Sequence, residues 1–217
     1  MYQRYGKRCL DIVVSGIGLL LLSPIFLILA ILIRVKLGSP IFFTQDRPGL
    51  HEKIFTLKKF RTMTDKRDAS GDLLPDAMRL TAFGRMLRGT SLDEIPELWN
   101  IFVGDMSLIG PRPLLVSYLP YYTERERLRH TVRPGLTGLA QISGRNFLNW
   151  DARLAKDVEY VEHITFLNDC KIIAKTIRVV LKPEQVAEDT HEAEGNFAQI
   201  RQQAAQKVTW IKGDDNR

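Results

Sequence analysis

An uncharged apolar run near the N-terminus is the feature that most limits how this chain can fold. No charged side chain occurs among the roughly 22 residues from Ile12 to Ile33. At a rise of ~1.5 Å per residue, a helix of that length just crosses a ~30 Å hydrocarbon core. The sequence therefore predicts a membrane segment, with an unusually apolar core helix as one alternative.

A cleaved signal peptide is a second alternative, because basic residues precede the run. Arg4, Lys7 and Arg8 resemble the n-region of such a peptide. The run is too long for an h-region, however, and it leads into Arg34 and Lys36 instead of a small-residue cleavage site. These features favour a segment that is retained.

The dipeptide Ser23-Pro24 lies near the middle of the run and is expected to kink it. Proline lacks an N–H group and its ring clashes with the carbonyl four residues earlier, at Leu20, which the Ser23 hydroxyl can satisfy. Each half, ~17 Å of helix, can enter one leaflet and return. Basic residues on both flanks agree with two cytoplasmic ends. On the residues alone, a kinked helix that spans the membrane is an equal alternative.

The remainder of the chain has the pattern of one compact domain. Ile41–Thr44 and Ile54–Leu57 are β-prone runs separated by a turn-rich segment at residues 47–50, which predicts a β-hairpin. We therefore predict a mostly helical α+β protein. Its parts are a re-entrant, kinked membrane helix (1–38), a cytoplasmic domain with interfacial amphipathic helices (39–187), and a polar C-terminal tail (188–217) in which Trp210-Ile211 can dock.

Two later segments have the composition of helices at a membrane surface. Leu114 to Tyr122 clusters Leu, Val and Tyr around Pro120, and Tyr is favoured where one end of a side chain is apolar and the other is wet. Phe166 to Lys182 places an apolar stripe beside Lys and Arg, as in a basic amphipathic helix. Packing of that stripe on the domain core is an equally good interpretation.

The net charge of +6 favours acidic partners, which include nucleic acid, anionic lipids and phosphorylated substrates. The two cysteines, Cys9 and Cys170, lack the spacing of metal ligands, so neither a zinc site nor a disulfide framework is expected. Nucleic-acid binding is not expected either, because the basic residues alternate with apolar segments and do not form one stripe.

The segment from Ser91 to Asn100, SLDEIPELWN, is the densest candidate site. Ser91 and Glu94 match a capping box, in which the acidic residues would only start a helix. Against that interpretation, Pro96 falls inside the first turns, and Asp93 adds a carboxylate that a cap does not need. Adjacent carboxylates can bind a divalent cation, and one of them can be the nucleophile in phosphoryl transfer.

Phosphate chemistry at this segment needs nearby cations, and the chain supplies several. Arginine suits bidentate phosphate binding, and prolines on both sides fix the backbone of Arg112. Taken singly, each basic residue is more often a solvated surface charge. The candidates are Lys58, Lys59, Arg61, Arg88, Arg112, Arg133 and Arg145.

Three motifs in this order resemble the bacterial sugar transferase family. They are SLDEIPELWN at 91–100, GDMSLIGPRP at 104–113 and RPGLTGLAQ at 133–141. With Lys58–Met63 and Ser23-Pro24, the resemblance covers about residues 1 to 182. Members of this family are monotopic phosphoglycosyl transferases that begin glycan assembly on undecaprenyl phosphate. The chain looks most like the small enzymes of the PglC type.

The resemblance implies a two-step, Mg²⁺-dependent mechanism with Asp93 and Glu94 as the catalytic pair and the metal ligands. Asp93 would attack the β-phosphate of a UDP-sugar, release UMP and hold the phosphosugar until undecaprenyl phosphate takes it. Glu94 would help to position the metal and the substrate. The residues expected to bind phosphate or nucleotide are Lys59, Arg88, Arg112 and Arg145, with Asp157 as a further polar candidate.

The resemblance also implies where the protein acts and on what. The expected donor is an N-acetylated UDP-sugar such as UDP-N,N′-diacetylbacillosamine, with UDP-N-acetylgalactosamine and UDP-N-acetylglucosamine still open. The expected location is the cytoplasmic face of the bacterial inner membrane, in contact with membrane lipids and downstream glycosyltransferases of a protein-glycosylation or polysaccharide pathway.

Two other functions fit the same residues. A membrane-anchored, metal-dependent phosphatase or nucleotide-sugar hydrolase would use the carboxylates and arginines with water as the acceptor. A basic membrane-surface adaptor would use its amphipathic helix to recruit an assembly and would not need the acidic pair. Dependence of UMP release on the lipid separates these functions.

Overall fold

Helix α1, at Lys7–Lys36, dominates the computed structural model, which describes residues 1–144, 148–181 and 197–203. A π-helical turn at Tyr2–Gly6 precedes it. The further helices are Asp76–Arg79 (α2), Ala82–Gly89 (α3), Glu97–Val103 (α4), Glu124–Arg127 (α5), Leu139–Gly144 (α6), Trp150–Glu162 (α7) and Phe166–Leu181 (α8). The strands are Phe42–Pro48 (β1), Ile54–Phe60 (β2), Ser107–Ile109 (β3) and Gly135–Thr137 (β4). The predicted mostly helical α+β class is confirmed.

Helix α1 continues through Pro24 without a break. The Ser23 hydroxyl donates to the carbonyl oxygen of Leu20 over 2.7 Å, so it satisfies the acceptor that Pro24 cannot reach with an N–H group. That predicted contact is confirmed. With the turn before it, the helix is long and apolar enough to cross a membrane. Its re-entrant path stays a prediction, because the helix itself shows no separate halves.

Both halves of α1 contact the same domain. Near its start, the buried carboxylate of Asp11 accepts hydrogen bonds from the Ser107 hydroxyl (3.1 Å) and the Leu108 N–H group (2.9 Å). In its second half, Leu29 and Ile33 lie in the main hydrophobic core. The face turned away from these contacts is exposed and apolar, which leaves a surface suited to lipid.

A buried carboxylate ties the start of α1 to α8. Asp169 accepts hydrogen bonds from the Tyr2 hydroxyl (2.6 Å) and the Lys7 ammonium group (2.8 Å). The Tyr160 hydroxyl lies 2.9 Å from Asp169 Oδ1 and 3.2 Å from the carbonyl oxygen of Ile109. Because Ile109 directly precedes the segment Gly110-Pro111-Arg112, this network fixes that segment relative to the apolar helix.

Strands β1 and β2 form the predicted hairpin. They pair antiparallel from Phe42 opposite Phe60 to Pro48 opposite Ile54, so each strand is longer than its β-prone run. The hairpin packs on α1 through a cluster of aromatic rings, in which Phe26 lies 4.8 Å from Phe60 between ring centroids. This contact sets the position of β2, the strand that carries Lys59.

A second, two-stranded sheet was not predicted. Strand β3 pairs parallel to β4, with Ser107 opposite Gly135. The chains approach so closely that a Cβ atom on Gly135 would lie 2.0 Å from the backbone nitrogen of Gly110, so only glycine fits there. This contact joins two of the three family-like motifs.

The prediction that Leu114 to Tyr122 lies at a membrane surface is wrong for its main apolar residues. Leu114, Tyr118 and Tyr122 recur every fourth residue and are buried against Leu154 and Phe197. These three side chains belong to one hydrophobic cluster, so this part of the segment covers a core. Helix α8 differs, because Ile172 is buried while Phe166, Leu167 and Ile177 are exposed, so its interfacial role stays a prediction.

Part of the predicted tail is docked on the domain. Residues 197–203 are helical, and Phe197 is fully buried against the rings of Tyr118 and Trp150. Arg201 pairs with Asp151 at 2.8 Å. The polar tail predicted from residue 188 is therefore corrected for this segment, because one aromatic side chain fills a core position. Trp210-Ile211 lies outside the described residues.

Candidate active site

Asn100 holds the two elements that build the site at a fixed distance. Its buried side chain accepts a hydrogen bond from the Lys58 N–H group (3.1 Å) and donates to the carbonyl oxygen of Thr56 (2.9 Å). These contacts clamp α4 to the end of β2. As a result, Lys59 lies beside the acidic residues that precede and begin α4.

The capping-box interpretation of the acidic segment is wrong. Ser91 has a left-handed backbone (φ 55°) and makes no capping hydrogen bond with its side chain. Leu92–Glu94 forms a 3₁₀ turn, and Pro96 then takes the N-cap position of α4. Asp93 and Glu94 therefore lie outside the helix proper, where their carboxylates are available for other partners.

Glu94 is the carboxylate shared by two cations. Its Oε1 atom lies 2.7 Å from Lys59 Nζ and 3.0 Å from Arg112 Nη2. Burial by itself would raise the pKa of this group, but Lys59 and Arg112 together lower it to about 2. Glu94 is consequently ionised at any physiological pH.

The pKa of Asp93 is shifted in the opposite direction from that of Glu94. The residue is 8% exposed. Burial, and next to it the negative charge of Glu94, raise the pKa of Asp93 to about 6, although Lys59, Arg88 and Arg112 oppose the shift. Two neighbouring carboxylates with pKa values pushed in opposite directions are typical of a catalytic site.

Arg88 reaches the site from the last turn of α3. Its Nε atom donates to the Thr62 hydroxyl over 3.0 Å. Its Nη1 atom is buried and has no hydrogen-bond partner within the part of the chain that the structure describes. Arg88 also lowers the pKa of Asp93, so it belongs to the same cluster and retains a donor for an anion.

Glu97 is a site residue that the sequence-based prediction missed. It is 2% exposed, and its Oε1 atom lies 3.1 Å from Lys59 Nζ. Burial and the nearby charge of Glu94 raise the pKa of Glu97 to about 7, although Lys59 opposes them. The available signal was its spacing, three residues after Glu94 in the same motif, which places both carboxylates near one side of a helical turn.

The structure does not bring Asp157 into this cluster. Its buried carboxylate pairs with the buried guanidinium of Arg129 at 2.8 Å, and Arg129 in turn donates to the backbone carbonyl of Arg112 over 2.6 Å. The pair thus supports the backbone at Arg112. Arg129 was missed because its sequence neighbourhood is that of a surface helix. A substrate contact of Asp157 stays a prediction, and Arg145 lies outside the described residues.

The predicted magnesium site contains two adjacent carboxylates, those of Asp93 and Glu94. Among the described residues, no group of three or more His, Cys, Asp or Glu side chains has the arrangement of a metal site. Mg²⁺ usually binds one or two carboxylates together with substrate phosphates and water. Asp93 and Glu94 therefore fit a metal that arrives with a diphosphate, and they do not form a complete protein cage.

Three carboxylates and three cations thus meet in one buried region. The cations are suited to bind phosphate oxygens. Asp93, whose pKa is about 6, is ionised at neutral pH, and within the described part of the chain it forms no ion pair of its own. This arrangement can support nucleophilic attack on phosphorus. The six residues are Asp93, Glu94, Glu97, Lys59, Arg88 and Arg112.

Comparison with known proteins agrees with this chemistry. The model of a family described as bacterial sugar transferase matches residues 2–183. An uncharacterized sugar transferase, EpsL, of Bacillus subtilis is 51% identical over 185 residues, which are 85% of this chain and 92% of that protein. The similarity therefore includes the apolar helix and the whole acidic cluster.

Two longer relatives have names that state a reaction. The undecaprenyl-phosphate galactose phosphotransferase of Salmonella typhimurium is 38% identical over 83% of this chain and 41% of its own length. The UDP-glucose:undecaprenyl-phosphate glucose-1-phosphate transferase of Klebsiella pneumoniae is 38% identical over 79% of this chain and 39% of its own length. In both relatives the similar part is less than half of the protein.

Replacement of Lys59 by Met should destabilise the fold by about 3 kcal/mol at pH 8, because loss of one partner leaves buried carboxylates unpaired. The loss should be smaller at pH 5. The pKa of Glu97 is already raised to about 7, so its carboxyl is protonated at pH 5 and no longer needs a cation. Thermal unfolding of the purified variants in detergent at both pH values measures the difference.

Lys156→Met is the matched control, since Lys156 pairs with Glu159 at the surface, where their side chains are 39% and 49% exposed. That change should cost less than about 1 kcal/mol at either pH. Equal losses in the two variants would contradict the assignment of Lys59 to a buried cluster.

Proposed function

The chain belongs to the bacterial sugar transferase family, and on this basis we propose that it transfers a sugar 1-phosphate from a UDP-sugar to undecaprenyl phosphate. The environment of Asp93 is the observation that best supports the proposal. Asp93 is a buried carboxylate with a pKa raised to about 6, next to cations that can hold phosphate. The names of the galactose and glucose relatives support the reaction class.

In the first proposed step, a carboxylate oxygen of Asp93 forms a bond to the β-phosphorus of the UDP-sugar. The bond from that phosphorus to the oxygen bridging the α-phosphate breaks, and UMP leaves with the bridging oxygen. In the second step, a phosphate oxygen of undecaprenyl phosphate attacks the same phosphorus. The bond between that phosphorus and the Asp93 oxygen breaks, which regenerates the carboxylate and yields undecaprenyl-diphospho-sugar.

The other residues of the cluster would neutralise the charge of the substrate phosphates and hold them in position. Lys59 and Arg112 already bind one anionic oxygen, that of Glu94, so they can bind phosphate oxygens at the same place. The buried Nη1 atom of Arg88 supplies a further donor. Transfer of a phosphoryl group depends mainly on such positioning and charge stabilisation. Arg145 and Asp157 stay predicted substrate-binding residues.

Magnesium is part of the proposal. Asp93 and Glu94 would hold Mg²⁺, which would neutralise negative charge on the diphosphate. The carboxylate of Glu94, ionised through its contacts with Lys59 and Arg112, is in the state that metal binding requires.

We further propose that α1 is re-entrant, with both of its ends at the cytoplasmic face. Support comes from the contacts of its first and second halves with the same domain, through Asp11 and through Leu29 and Ile33. A domain on one side of a membrane holds both ends of a helix only if the helix does not cross. A soluble donor and a lipid phosphate could then meet at the headgroup layer.

The proposed donor is an N-acetylated UDP-sugar, with UDP-N,N′-diacetylbacillosamine as the first choice, on the resemblance to the small enzymes of the PglC type. UDP-galactose and UDP-glucose are the competing donors, because relatives are named for transfer of those sugars. The product would feed glycoconjugate assembly and its downstream glycosyltransferases.

Purified protein with Mg²⁺, undecaprenyl phosphate and one of these UDP-sugars should release UMP, which a coupled luminescence assay measures. Asp93→Asn should reduce the rate at least ~10³-fold, because the amide is no nucleophile. Asp151→Asn, which changes an exposed carboxylate on α7, should keep the rate of the unmodified protein.

A peptide containing Asp93 should gain the mass of the phosphosugar when the donor is added alone and the reaction is quenched in acid.

Rapid UMP release by Asp93→Asn would remove Asp93 as the nucleophile. Continued release of many UMP molecules per enzyme without lipid would instead favour a hydrolase, since the proposed mechanism releases only one UMP per enzyme when the lipid is absent. Absence of release with every donor would favour the adaptor function.

The rate should rise with pH through the pKa of Asp93. Because that pKa is raised to about 6, the carboxyl is protonated and inactive at pH 5 and ionised at pH 7. The value of kcat/KM should therefore increase about tenfold per pH unit below pH 6 and level off above it. In Lys59→Met this transition should move to higher pH, since Lys59 lowers the pKa of Asp93. A transition near pH 4 would contradict the raised pKa.

The topology of α1 can be tested with single cysteines. In a Cys9→Ser, Cys170→Ser background, Gln3→Cys and Lys36→Cys should react with an impermeant thiol reagent only in inside-out membrane vesicles. Leu21→Cys, at an exposed apolar position in the middle of α1, is the control and should not react in either orientation. Reaction of the two terminal cysteines on opposite faces would show that the helix spans the membrane.

A further inference from the structure

Glu97 is a third carboxylate of the site for which the proposed mechanism has no use. It begins α4, and its side chain is 3% exposed, whereas that of Glu94 is 20% exposed. A substrate that arrives from solvent therefore meets Glu94 first and cannot reach Glu97. Burial of a charged carboxylate lowers the stability of the fold unless a cation pairs with it. The cation that contacts Glu97 therefore indicates the role of this residue.

The partner of Glu97 is Lys59, which also binds Glu94. The Lys59 Nζ atom lies 3.1 Å from Glu97 Oε1 and 2.7 Å from Glu94 Oε1. An ammonium group has three N–H donors. Among the described residues one donor bonds to Glu94, and Glu97 is held beside the ammonium group by charge, which leaves donor capacity for a phosphate oxygen.

The two contacts of Lys59 are not equivalent once a substrate is bound. Glu94 also pairs with Arg112 at 3.0 Å, and in the proposed mechanism it turns to Mg²⁺ and the diphosphate. Lysine has a flexible four-carbon stem, so loss of this contact would release its ammonium group. Glu97 cannot make the same change, because it lies out of reach of the substrate.

The position of Glu97 is fixed by hydrogen bonds that join its helix to the backbone of β2. It lies on the first turn of α4, which Asn100 clamps to β2 through hydrogen bonds of 3.1 Å and 2.9 Å. Lys59 is a residue of that same strand. Beside Lys59 and Glu97 lies a cavity of about 10 Å³, which also touches Arg112 and has room for about one water molecule. Lys59 therefore has little alternative space on its buried side.

From this geometry, and resting on the proposed function, we propose that Glu97 is a positioning residue that holds Lys59 at the phosphate site when Glu94 is engaged by metal and substrate. Glu97 does not contact the reacting atoms. It acts through Lys59, so removal of its charge should matter only as long as Lys59 is present.

The experiment, at pH 8, measures the Kd of UDP with Mg²⁺ by titration calorimetry, together with steady-state kinetics of UMP release. Glu97→Gln keeps the shape of the side chain and removes the charge. We expect UDP to bind about tenfold more weakly, which corresponds to ~1.4 kcal/mol. The KM for the UDP-sugar should rise by a similar factor, while the KM for undecaprenyl phosphate should not change.

A double variant shows whether Glu97 acts through Lys59. If it does, the combined Glu97→Gln and Lys59→Met variant should bind UDP no more weakly than Lys59→Met alone. Glu97→Asp, which restores the charge on a shorter stem, should recover part of the affinity. An affinity for UDP equal to that of the unmodified protein in Glu97→Gln would overturn the proposal, as would a further tenfold loss in the double variant.

Phe197→Leu separates positioning from simple destabilisation. Phe197 is fully buried against Tyr118 and Trp150, in a hydrophobic cluster separate from the acidic residues. This variant should lower the Tm and keep the affinity for UDP. If Glu97→Gln instead weakens the binding of both substrates and also lowers the Tm, its role is structural and the proposal is wrong.

UDP binding without UMP release in the unmodified protein would contradict the proposed function and leave the test of Glu97 valid.

Discussion

The pairing of buried charges around Lys59 is the constraint on which the site depends. One ammonium group lies within 3.1 Å of two carboxylates, Glu94 and Glu97. Buried charges are tolerated only when their partners are held at short distance, so β2 and α4 must keep a fixed separation. The amide of Asn100 and the packing of β2 on α1 provide that separation.

The same structure connects the apolar helix to the site. Asp11 binds the start of β3, and Asp169 binds Lys7 and, through Tyr160, lies close to Ile109. The contacted residues Leu108 and Ile109 precede Arg112 by four and three residues. The depth at which α1 lies in a membrane would therefore determine the depth of the phosphate-binding arginine. Polar contacts suit this purpose because they have directions, unlike the apolar contacts elsewhere along the helix.

Local signals were sufficient for part of the fold. The hairpin and the contact of Ser23 with Leu20 agree with predictions made from neighbouring residues. Lys59, Arg112 and Glu94, which the structure brings together, were named through the resemblance to a family and not through a local pattern. Other features depend on residues far apart in the chain, and no local pattern contains them. Such features are the β3–β4 sheet, the pairing of Arg129 with Asp157, and the docking of Phe197 on Tyr118 and Trp150.

The order of the amino acids specifies which chemical groups are available: an apolar run with a proline, adjacent carboxylates, and arginines and lysines that suit phosphate. The difference between the two carboxylates depends on the folded arrangement. The pKa of Glu94 is lowered to about 2 and that of its neighbour Asp93 is raised to about 6. Adjacent residues share the same sequence context, so the difference must come from elsewhere. It arises because Lys59 and Arg112, brought from other parts of the chain, form ion pairs with Glu94, whereas among the residues that the structure describes Asp93 is buried without an ion pair.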